Sequence, residues 1–522
     1  MTGQPDRRLR VTDLPWHPII LALAIVLTFW VDQPVSPLAG IRLVPGAAVV
    51  VAGLTALLWL VLRNRHRAGL IASAVIVVLW AKHGARFVAS VLPRLDPWVA
   101  AVWLAVIGLA ILIALRIVLR LARGASHSER TTKRLNLAAM VLLMATMASA
   151  ALGGNLGTAI LDIRAQNGTP QTAVASTEVT ADGPDIFVFL LDMYPRADVL
   201  AERYGLDNTP FLAALDDRGF TVADDSRTAY AYTHLALPTF LHMDYMERIP
   251  SMRAVFEGKA PPRPDLRLAI NQNPVFDFLR ERGYAVSSVS SGFEDYTVRH
   301  VERFWDGGEL NEFELQFLES TFLGDVLTAA APDLASGHLR ARIRSILQQA
   351  PSTADTTGAG SRLVFVHVPA PHTPIVFGPD GEPVIARLDS DFFQDRHVKL
   401  GLDPEGFTEA FRGEVTYLNT LVLDAIDGVL ARSAEPPVIL VLSDHGPSSG
   451  VSWDEIPRDE REPSVLRERI ANLFAAYTPG KQDVFPDDVS LVNVFRHLFD
   501  AYFGTSLGTA TPPVDGAHYV LP

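Results

Sequence analysis

The chain has 522 residues, no cysteine, a formal net charge of −13 at pH 7 and a positive mean hydropathy. It is too apolar for an ordinary soluble enzyme, and the missing thiols exclude disulfides, thiolate metal sites and cysteine nucleophiles. The acidic balance, without a basic patch in the second part of the chain, argues against nucleic acid as a partner.

The apolar excess lies in the first third, where five apolar runs predict transmembrane helices. The third run is interrupted by Lys82, His83 and Arg86, so we expect it to carry these charges to an interface or to form a shorter, tilted helix. The runs cover approximately residues 17–31, 45–62, 69–91, 98–119 and 135–153.

Basic residues predict the orientation of these spans, because short loops rich in Lys and Arg stay cytoplasmic. With five spans, all basic clusters fall on one side, and everything after Gly154 is predicted to lie outside the cytoplasm. A cleavable signal peptide is the rival interpretation of the first run, but no small-residue cleavage site is followed by soluble sequence. The clusters are Arg7, Arg8 and Arg10; Arg63, Arg65 and Arg67; and Arg116, Arg120, Arg123, Arg130, Lys133 and Arg134.

The chain therefore divides into a transmembrane region at 1–154, a linker at 155–184 and an extracytoplasmic domain at 185–522. In the last part apolar runs alternate with amphipathic segments, which is typical of an α/β domain with a mostly parallel sheet flanked by helices. In chain order we expect a strand up to Asp192, a helix at 208–218, a strand at 284–289, a helix at 336–349, a strand at 362–368, a helix at 408–432 and a strand at 438–442.

Three of the predicted strands end in residue types that bind metal ions. Asp192 follows DIFVFLL, His367 and His372 lie in RLVFVHVPAPH, and Asp444 and His445 follow PPVILVLS. Open parallel sheets bind ligands just beyond the carboxyl ends of their strands, so these ends predict one metal site. The glycine turn in LSDHG breaks the alternation of faces, which lets both neighbouring side chains reach one ion.

A hydroxyl nucleophile is predicted at Thr233, in the segment TAYAYTHLALP. A threonine in such a segment is commonplace by itself, but its position between Asp192 and the SDHG motif, with Pro238 breaking the segment, favours the nucleophile hypothesis. Coordination to a divalent cation lowers the pKa of a hydroxyl that is otherwise too weakly acidic to attack at neutral pH. We therefore expect a covalent phospho-threonine intermediate.

The order of these motifs resembles the alkaline phosphatase superfamily: a strand ending in an acid, a T-x-x-S-x-P-like turn, H-x-x-x-x-H and then S-D-H-G. Within it, most of 185–522 is similar to the membrane-anchored phosphoethanolamine transferases and lipoteichoic acid synthases. Five spans followed by an extracytoplasmic catalytic domain also resemble the synthase architecture. The resemblance implies a divalent ion bound by Asp192, Thr233, Asp444 and His445.

Two positions depart from the family pattern. Ala236 stands where the family has a serine two residues before the proline, and Ala229 stands where many relatives carry asparagine. Each change removes a polar group that could hold a phosphoryl or sulfate oxygen. A catalytically silent envelope assembly protein is therefore an alternative.

The remaining histidines receive different interpretations. His372 lies in the proline-flanked PHTP, and we expect it to contact the substrate or to give a proton to the leaving group. His367 alternates with Val366 and Val368 in a strand, which favours a core histidine whose hydrogen bonds are satisfied. We expect one ion, Mn²⁺, Zn²⁺ or Mg²⁺, because mixed oxygen and nitrogen ligation does not select among them. A second ion is not expected, because two-zinc relatives need another acid and two more imidazoles.

Candidate substrate residues come from two places in the sequence. Asp295, Arg299 and His300 lie in SSGFEDYTVRH, which follows a predicted strand end and could grip a hydroxyl or an anionic head group. Arg227 lies shortly before the nucleophile. A surface loop and an ordinary exposed arginine are the alternative interpretations.

The favoured function is a membrane-anchored, metal-dependent phosphotransferase or phosphodiesterase that acts on an envelope lipid or polymer at the cell membrane. Tethering raises the effective concentration of the enzyme at a lipid surface. The resemblance alone suggests glycerol-phosphate or ethanolamine-phosphate groups as the substrate class. A sulfatase-like ester hydrolase is the second interpretation, although HLALP after the threonine does not match the C/S-x-P-x-R motif of sulfatases.

Overall fold

The computed structural model describes residues 14–32, 39–91, 128–152, 183–252, 263–308, 310–331, 333–354, 360–384, 404–448 and 463–512. The chain forms two compact units. The described residues of Met1–Asp162 belong to the first unit together with Phe313–Ala330, and those of Ile163–Glu312 and Ala331–Pro522 belong to the second.

The N-terminal part of the first unit is helical. Its helices are α1 (His17–Asp32), α2 (Leu43–Leu62), α3 (Arg65–Val91) and α4 (Ser128–Leu152). Among the described residues, two helical stretches are long and apolar enough to cross a membrane, Leu43–Leu62 and Glu129–Leu152, and His17–Val31 is a shorter apolar helix. Helix α3 carries the predicted interrupted run, and the predicted span at 98–119 lies outside the described residues. Two membrane-length helices do not by themselves establish the predicted five.

In the described part of the second unit, seven strands form a sheet in the order β2-β7-β6-β1-β5-β3-β4. Strands β1, β3, β4, β5 and β6 pair in parallel with their neighbours among themselves, whereas β7 pairs antiparallel with both β6 and β2. The strands are β1 (Ile186–Leu191), β2 (Thr221–Val222), β3 (Ala285–Val289), β4 (Arg303–Trp305), β5 (Arg362–Val368), β6 (Val438–Leu442) and β7 (Phe474–Tyr477).

Helices flank this sheet, which confirms the predicted α/β class. The helices of the second half of the chain are α5 (Ala197–Tyr204), α6 (Thr209–Asp216), α7 (Thr233–His242), α8 (Arg263–Asn271), α9 (Pro274–Glu281), α10 (Glu312–Glu319), α11 (Phe322–Ala330), α12 (Leu334–Ser352), α13 (Pro404–Arg432), α14 (Pro463–Ile470) and α15 (Val494–Phe503). Short 3₁₀ turns lie at Met246–Arg248, Pro250–Met252, Glu294–Tyr296 and Leu491–Asn493.

Strand β1 lies at the centre of the sheet, between β5 and β6. All six residues of its sequence IFVFLL are buried, as expected for a parallel strand covered on both faces. Burial of this kind requires apolar side chains at every position and not only at alternate ones, which explains the continuous apolar runs in the sequence. The three central strands therefore carry their chemistry only at their carboxyl ends.

Candidate metal centre and nucleophile

The register of the central strands brings two acids to the same level of the sheet. Leu190 pairs with Leu442 in the parallel ladder between β1 and β6. Asp192 and Asp444 each follow two residues later, so both leave the sheet at its carboxyl edge. This edge is where open α/β sheets bind ligands.

Asp192, Asp444 and His445 form a buried cluster whose potential ligand atoms all lie within 4.8 Å of one another. The Asp192 Oδ1 and Asp444 Oδ2 atoms are buried and have no hydrogen-bond partner among the described residues. Unpaired carboxylate oxygens are costly in a protein interior. A divalent cation would satisfy both oxygens, and oxygen with imidazole nitrogen is a suitable donor set for it.

Backbone contacts orient the Asp444–His445 pair. The Oδ1 atom of Asp444 accepts hydrogen bonds from the backbone N–H of Met193 at 3.2 Å and of His445 at 2.9 Å. The Nδ1 atom of His445 lies 2.8 Å from the carbonyl oxygen of Gly446 and donates to it. The Nε2 atom, 3.6 Å from Oδ2 of Asp444, is then the ring nitrogen on the side of the two acids, and a metal-binding histidine is usually oriented through its other nitrogen in this way.

Gly446 is required by the close approach of the neighbouring chain. A Cβ atom at this position would lie 1.9 Å from the carbonyl oxygen of Glu468, and the Gly446 N–H donates to the Arg469 carbonyl at 2.8 Å. The glycine of the SDHG motif thus allows the turn after β6 to pack against the backbone at the end of α14. This packing holds Asp444 and His445 in position.

Thr233 is the first residue of α7 and is 5% exposed. Its Oγ1 atom lies 3.2 Å from Nε2 of His445. The preceding residue, Tyr232, has extended backbone angles, so the helix begins at the threonine and its positive end faces the same region. A hydroxyl beside the cluster at a helix N-terminus is a favourable position for attack on a phosphoryl group.

His367 lies beside the acid cluster. Its Nε2 atom is 3.6 Å from Oδ2 of Asp192, and neither ring nitrogen has a hydrogen-bond partner among the described residues. The interpretation as a satisfied core histidine does not match this environment. The sequence signal was its place near the end of a strand that is paired with the acid-bearing strand: His367 lies level with Leu190 in the ladder and therefore on the same face as Asp192.

His372 lies next to the cluster and interacts electrostatically with Asp192. Its ring contacts the ring of Phe293 edge to face at 5.7 Å, and its Nδ1 atom lies 2.7 Å from the Thr373 carbonyl oxygen. Phe293 also lies 6.5 Å from the ring of His367. Phe293, which the sequence reasoning did not select, therefore packs against both histidines.

The two acids have opposite pKa shifts. Burial, followed by the negative charge of Asp192, raises the pKa of the Asp444 carboxyl to about 7. Burial also acts to raise the pKa of Asp192, but interactions with His372, His367 and His445 outweigh it and lower the pKa to about 2. Two carboxyls that share a buried site hold a proton between them near neutral pH unless a cation replaces it.

The predicted substrate residues Asp295, Arg299 and His300 differ in their burial and in their contacts. The Arg299 guanidinium contacts both carboxylate oxygens of buried Glu294, at 2.8 and 2.7 Å. His300 is buried and its backbone N–H donates to Asn271, whereas Asp295 is half-buried in a 3₁₀ turn.

Arg227 and Ala229 line a separate cavity of about 440 Å³. The Nη2 atom of Arg227 lies 3.6 Å from Oδ2 of Asp488. Asp192, Asp444 and His445 are not among the residues that line this cavity. Ala236 is fully buried in the hydrophobic core. A polar side chain at 236 would therefore face apolar neighbours here.

No protein-family model matches the chain, and no curated protein matches its sequence. Solved structures similar to it include the C-terminal periplasmic domain of EptC from Escherichia coli in complex with zinc, 16% identical, with a TM-score of 0.41 over 66% of this chain and 96% of that one. The corresponding domain of the phosphoethanolamine transferase EptC from Campylobacter jejuni is 11% identical, with a TM-score of 0.35 over 61% and 88%.

An alkaline phosphatase superfamily protein from Vibrio parahaemolyticus is 12% identical, with a TM-score of 0.38 over 67% of this chain and 78% of that one. Phosphoethanolamine transferase domains, an alkaline phosphatase superfamily protein and sulfatases are thus the kinds of structure that this chain resembles. At these identities and scores, the chemistry of this chain rests on its own residues.

Proposed function

We propose that the chain is a membrane-anchored, metal-dependent phosphotransferase or phosphodiesterase that acts on an envelope lipid or polymer through Thr233. One observation carries this proposal: buried carboxylate oxygens without hydrogen-bond partners adjoin an imidazole whose Nε2 atom is 3.2 Å from a threonine hydroxyl. This combination supplies cation ligands and a nucleophile at one point. A purely structural cluster would pair its oxygens within the protein.

Asp192, Thr233, Asp444 and His445 would hold one divalent ion, Mn²⁺, Zn²⁺ or Mg²⁺. When bound, such an ion lowers the pKa of the threonine hydroxyl, whose proton is lost to solvent, and offsets negative charge on the phosphoryl oxygens. His367, with both ring nitrogens buried beside Asp192, is a further group that would stabilise or complete this ligand set.

The protein residues then carry the transfer in two steps. The Oγ1 atom of Thr233 forms a bond to phosphorus while the ester bond to the leaving oxygen breaks, and His372 gives that oxygen a proton. In the second step an acceptor alcohol or water forms a bond to phosphorus while the bond to Thr233 Oγ1 breaks, and His372 takes the proton of the attacking oxygen, which restores both residues. Arg227, Asp295, Arg299 and His300 remain proposed contacts of the donor or acceptor.

The membrane part of the proposal rests on the apolar helices of the first unit. Helix α2 has 20 residues, which corresponds to about 30 Å, the thickness of the hydrocarbon core of a bilayer. We propose five spans with the catalytic unit outside the cytoplasm at the cell membrane, as the distribution of basic residues predicts. A lipid donor or an envelope polymer would then be reached without release of the enzyme from the membrane.

The test uses the full-length chain in detergent micelles, loaded with Mn²⁺ or Zn²⁺ and given fluorescent phosphatidylglycerol or phosphatidylethanolamine. Thr233→Ala is compared with Thr239→Ala, a matched control on the same helix whose buried hydroxyl bonds to the carbonyls of Leu235 and Ala236. We expect lipid cleavage and a phosphorylated peptide containing Thr233 in the wild type and in the control. Both should disappear in Thr233→Ala.

Other outcomes would redirect the assignment. Equal loss of lipid cleavage in Thr233→Ala and Thr239→Ala would point to damage to α7 rather than to a lost nucleophile. Metal binding without reaction of either lipid would favour a sulfatase-like hydrolase or another ester, to be tested with aryl sulfates and phosphodiesters. Absence of both metal binding and reaction would leave the envelope assembly protein as the better description.

A further inference from the structure

A short segment from the second half of the chain is part of the first unit. Phe313–Ala330, which contains most of α10 and all of α11, packs with α1 and α3. The chain therefore leaves the first unit after α4 and returns to it for two short helices. Such a return needs specific contacts to hold it.

Aromatic side chains make the first of these contacts. The ring of Phe313, 1% exposed, lies 5.1 Å from that of Phe29, and the ring of Phe317 lies 5.4 Å from Phe29 and 5.5 Å from Trp80. Gly40 leaves room for Phe313, because a Cβ atom there would come within 2.7 Å of the ring. Aromatic rings in such contacts stabilise the packing by more than the burial of their apolar area alone.

Two ion pairs supplement the aromatic contacts. The Arg42 guanidinium donates to both carboxylate oxygens of buried Glu314, at 2.9 and 2.7 Å, and Lys82 pairs with Asp325. Lys82 is one of the charges that interrupt the third apolar run of the sequence. Its partner therefore comes from α11, far along the chain.

These contacts lie at one end of the helices of the first unit. The starts of α1, α3 and α4 share the opposite end, because His17 contacts Ser73 at 2.7 Å and Asn136 at 2.8 Å. Basic residues at that opposite end are expected to face the cytoplasm, so the end that binds Phe313–Ala330 is the outer one. The described basic residues near the opposite end are Arg63, Arg65, Arg67, Arg130, Lys133 and Arg134.

Helix α11 exposes large apolar side chains: Phe322, Leu323 and Val326 are 43%, 37% and 59% exposed. Its nine residues extend about 14 Å, too short to cross a bilayer but sufficient for a helix that lies in the interface. Helix α3, against which it packs, also exposes apolar side chains, as Val78 does at 60%. An exposed apolar face beside other exposed apolar side chains is suited to contact with lipid.

We propose that α11 lies in the membrane–water interface at the outer end of the first unit, with Phe322, Leu323 and Val326 in the lipid of that leaflet. This inference rests on the membrane anchoring in the proposed function. The burial depth for such a helix is about 5–10 Å into the boundary between headgroups and acyl chains. The pairs Arg42–Glu314 and Lys82–Asp325 neutralise the charges that the segment meets at this level.

The absence of cysteine makes a direct test possible. Val326→Cys in the full chain is labelled with a fluorophore and reconstituted in vesicles of phosphatidylethanolamine and phosphatidylglycerol that carry nitroxides at a shallow or a deep acyl position. Val50→Cys on α2 is the control for the bilayer core, and Thr420→Cys, exposed on α13, is the control for water. We expect loss of fluorescence at Val326 mainly with the shallow nitroxide, at Val50 mainly with the deep one, and at Thr420 with neither.

Three results would overturn the inference. Fluorescence at Val326 that matches Thr420 would mean that protein or water covers α11. Self-quenching at Val326 when the labelled fraction is raised would identify a second copy of the chain as the occupant. Absence of quenching at Val50 would refute the membrane anchoring itself, while the lipid-cleavage assay of Thr233 tests the phosphoryl chemistry separately.

Discussion

Metal binding at the Asp192–Asp444–His445 cluster should release a proton from the protein. Burial and the charge of Asp192 raise the pKa of Asp444 to about 7, so without an ion this carboxyl holds a proton through much of the neutral range. A cation must displace that proton, because ligands bind in their deprotonated form. From a pKa of about 7, the release expected from this group is ~0.9 proton at pH 6, ~0.5 at pH 7 and ~0.1 at pH 8.

The same equilibrium sets the pH dependence of metal affinity. Competition with one proton weakens the apparent affinity about tenfold between pH 8 and pH 6, which corresponds to about 1.4 kcal/mol. The sign follows from the raised pKa: affinity falls as pH decreases through 7 and becomes independent of pH well above 7. Isothermal titration of Mn²⁺ into the metal-free full-length chain, in buffers with different ionisation enthalpies, measures both affinity and proton release.

The variant Asp444→Asn distinguishes proton release by the Asp444 carboxyl from proton release by the imidazoles. The variant retains an oxygen ligand and all histidines, so any proton release from imidazole persists, whereas the contribution of Asp444 disappears. We expect weaker binding and a flatter pH profile in this variant. Equal proton release in the wild type and Asp444→Asn, or a wild-type affinity that does not change between pH 6 and pH 8, would refute the explanation.

Two further predictions concern glycine packing and a buried acid. Gly446→Ala should weaken metal binding at least about tenfold in a metal titration, because its Cβ atom would meet the Glu468 carbonyl oxygen at 1.9 Å and displace the turn that carries Asp444 and His445. Gly53→Ala is the control, because a Cβ atom at position 53 would have no neighbouring atom within 4 Å. Burial raises the pKa of Glu414 to about 8, so the folded state holds a proton that the unfolded state loses near pH 4.5. Stability should therefore fall by about 2 kcal/mol from pH 6 to pH 8, and Glu414→Gln, which can still accept from the Val376 N–H, should remove this fall in denaturant unfolding.

These two predictions also have clear contrary results. Unchanged metal affinity in Gly446→Ala would mean that the backbone at the end of α14 yields without moving Asp444 and His445. A denaturation profile with the same pH slope in the wild type and Glu414→Gln would mean that Glu414 does not carry the proton.

Several structural features could be read from residue patterns. Apolar runs of strand length predicted the central strands, and the structure has these strands at Ile186–Leu191, Arg362–Val368 and Val438–Leu442. Their sequence is informative because a strand buried on both faces needs apolar residues at every position. The short strands β2, β4 and β7, of which β2 and β4 lie at the edges of the sheet, were not predicted, because two to four residues carry too little periodicity.

Acids and imidazoles that directly follow apolar runs of strand length predicted that these groups meet at one edge of the sheet. That conclusion needs only strand direction and burial. The environment of His367 and the pairing of Arg299 with Glu294 depend on the folded chain, because strand register and loop path bring together residues that no local pattern relates. The same holds for Phe313–Ala330: its partners Phe29, Arg42 and Lys82 lie far away in the chain, and long-range packing leaves no signature in the spacing of nearby residues.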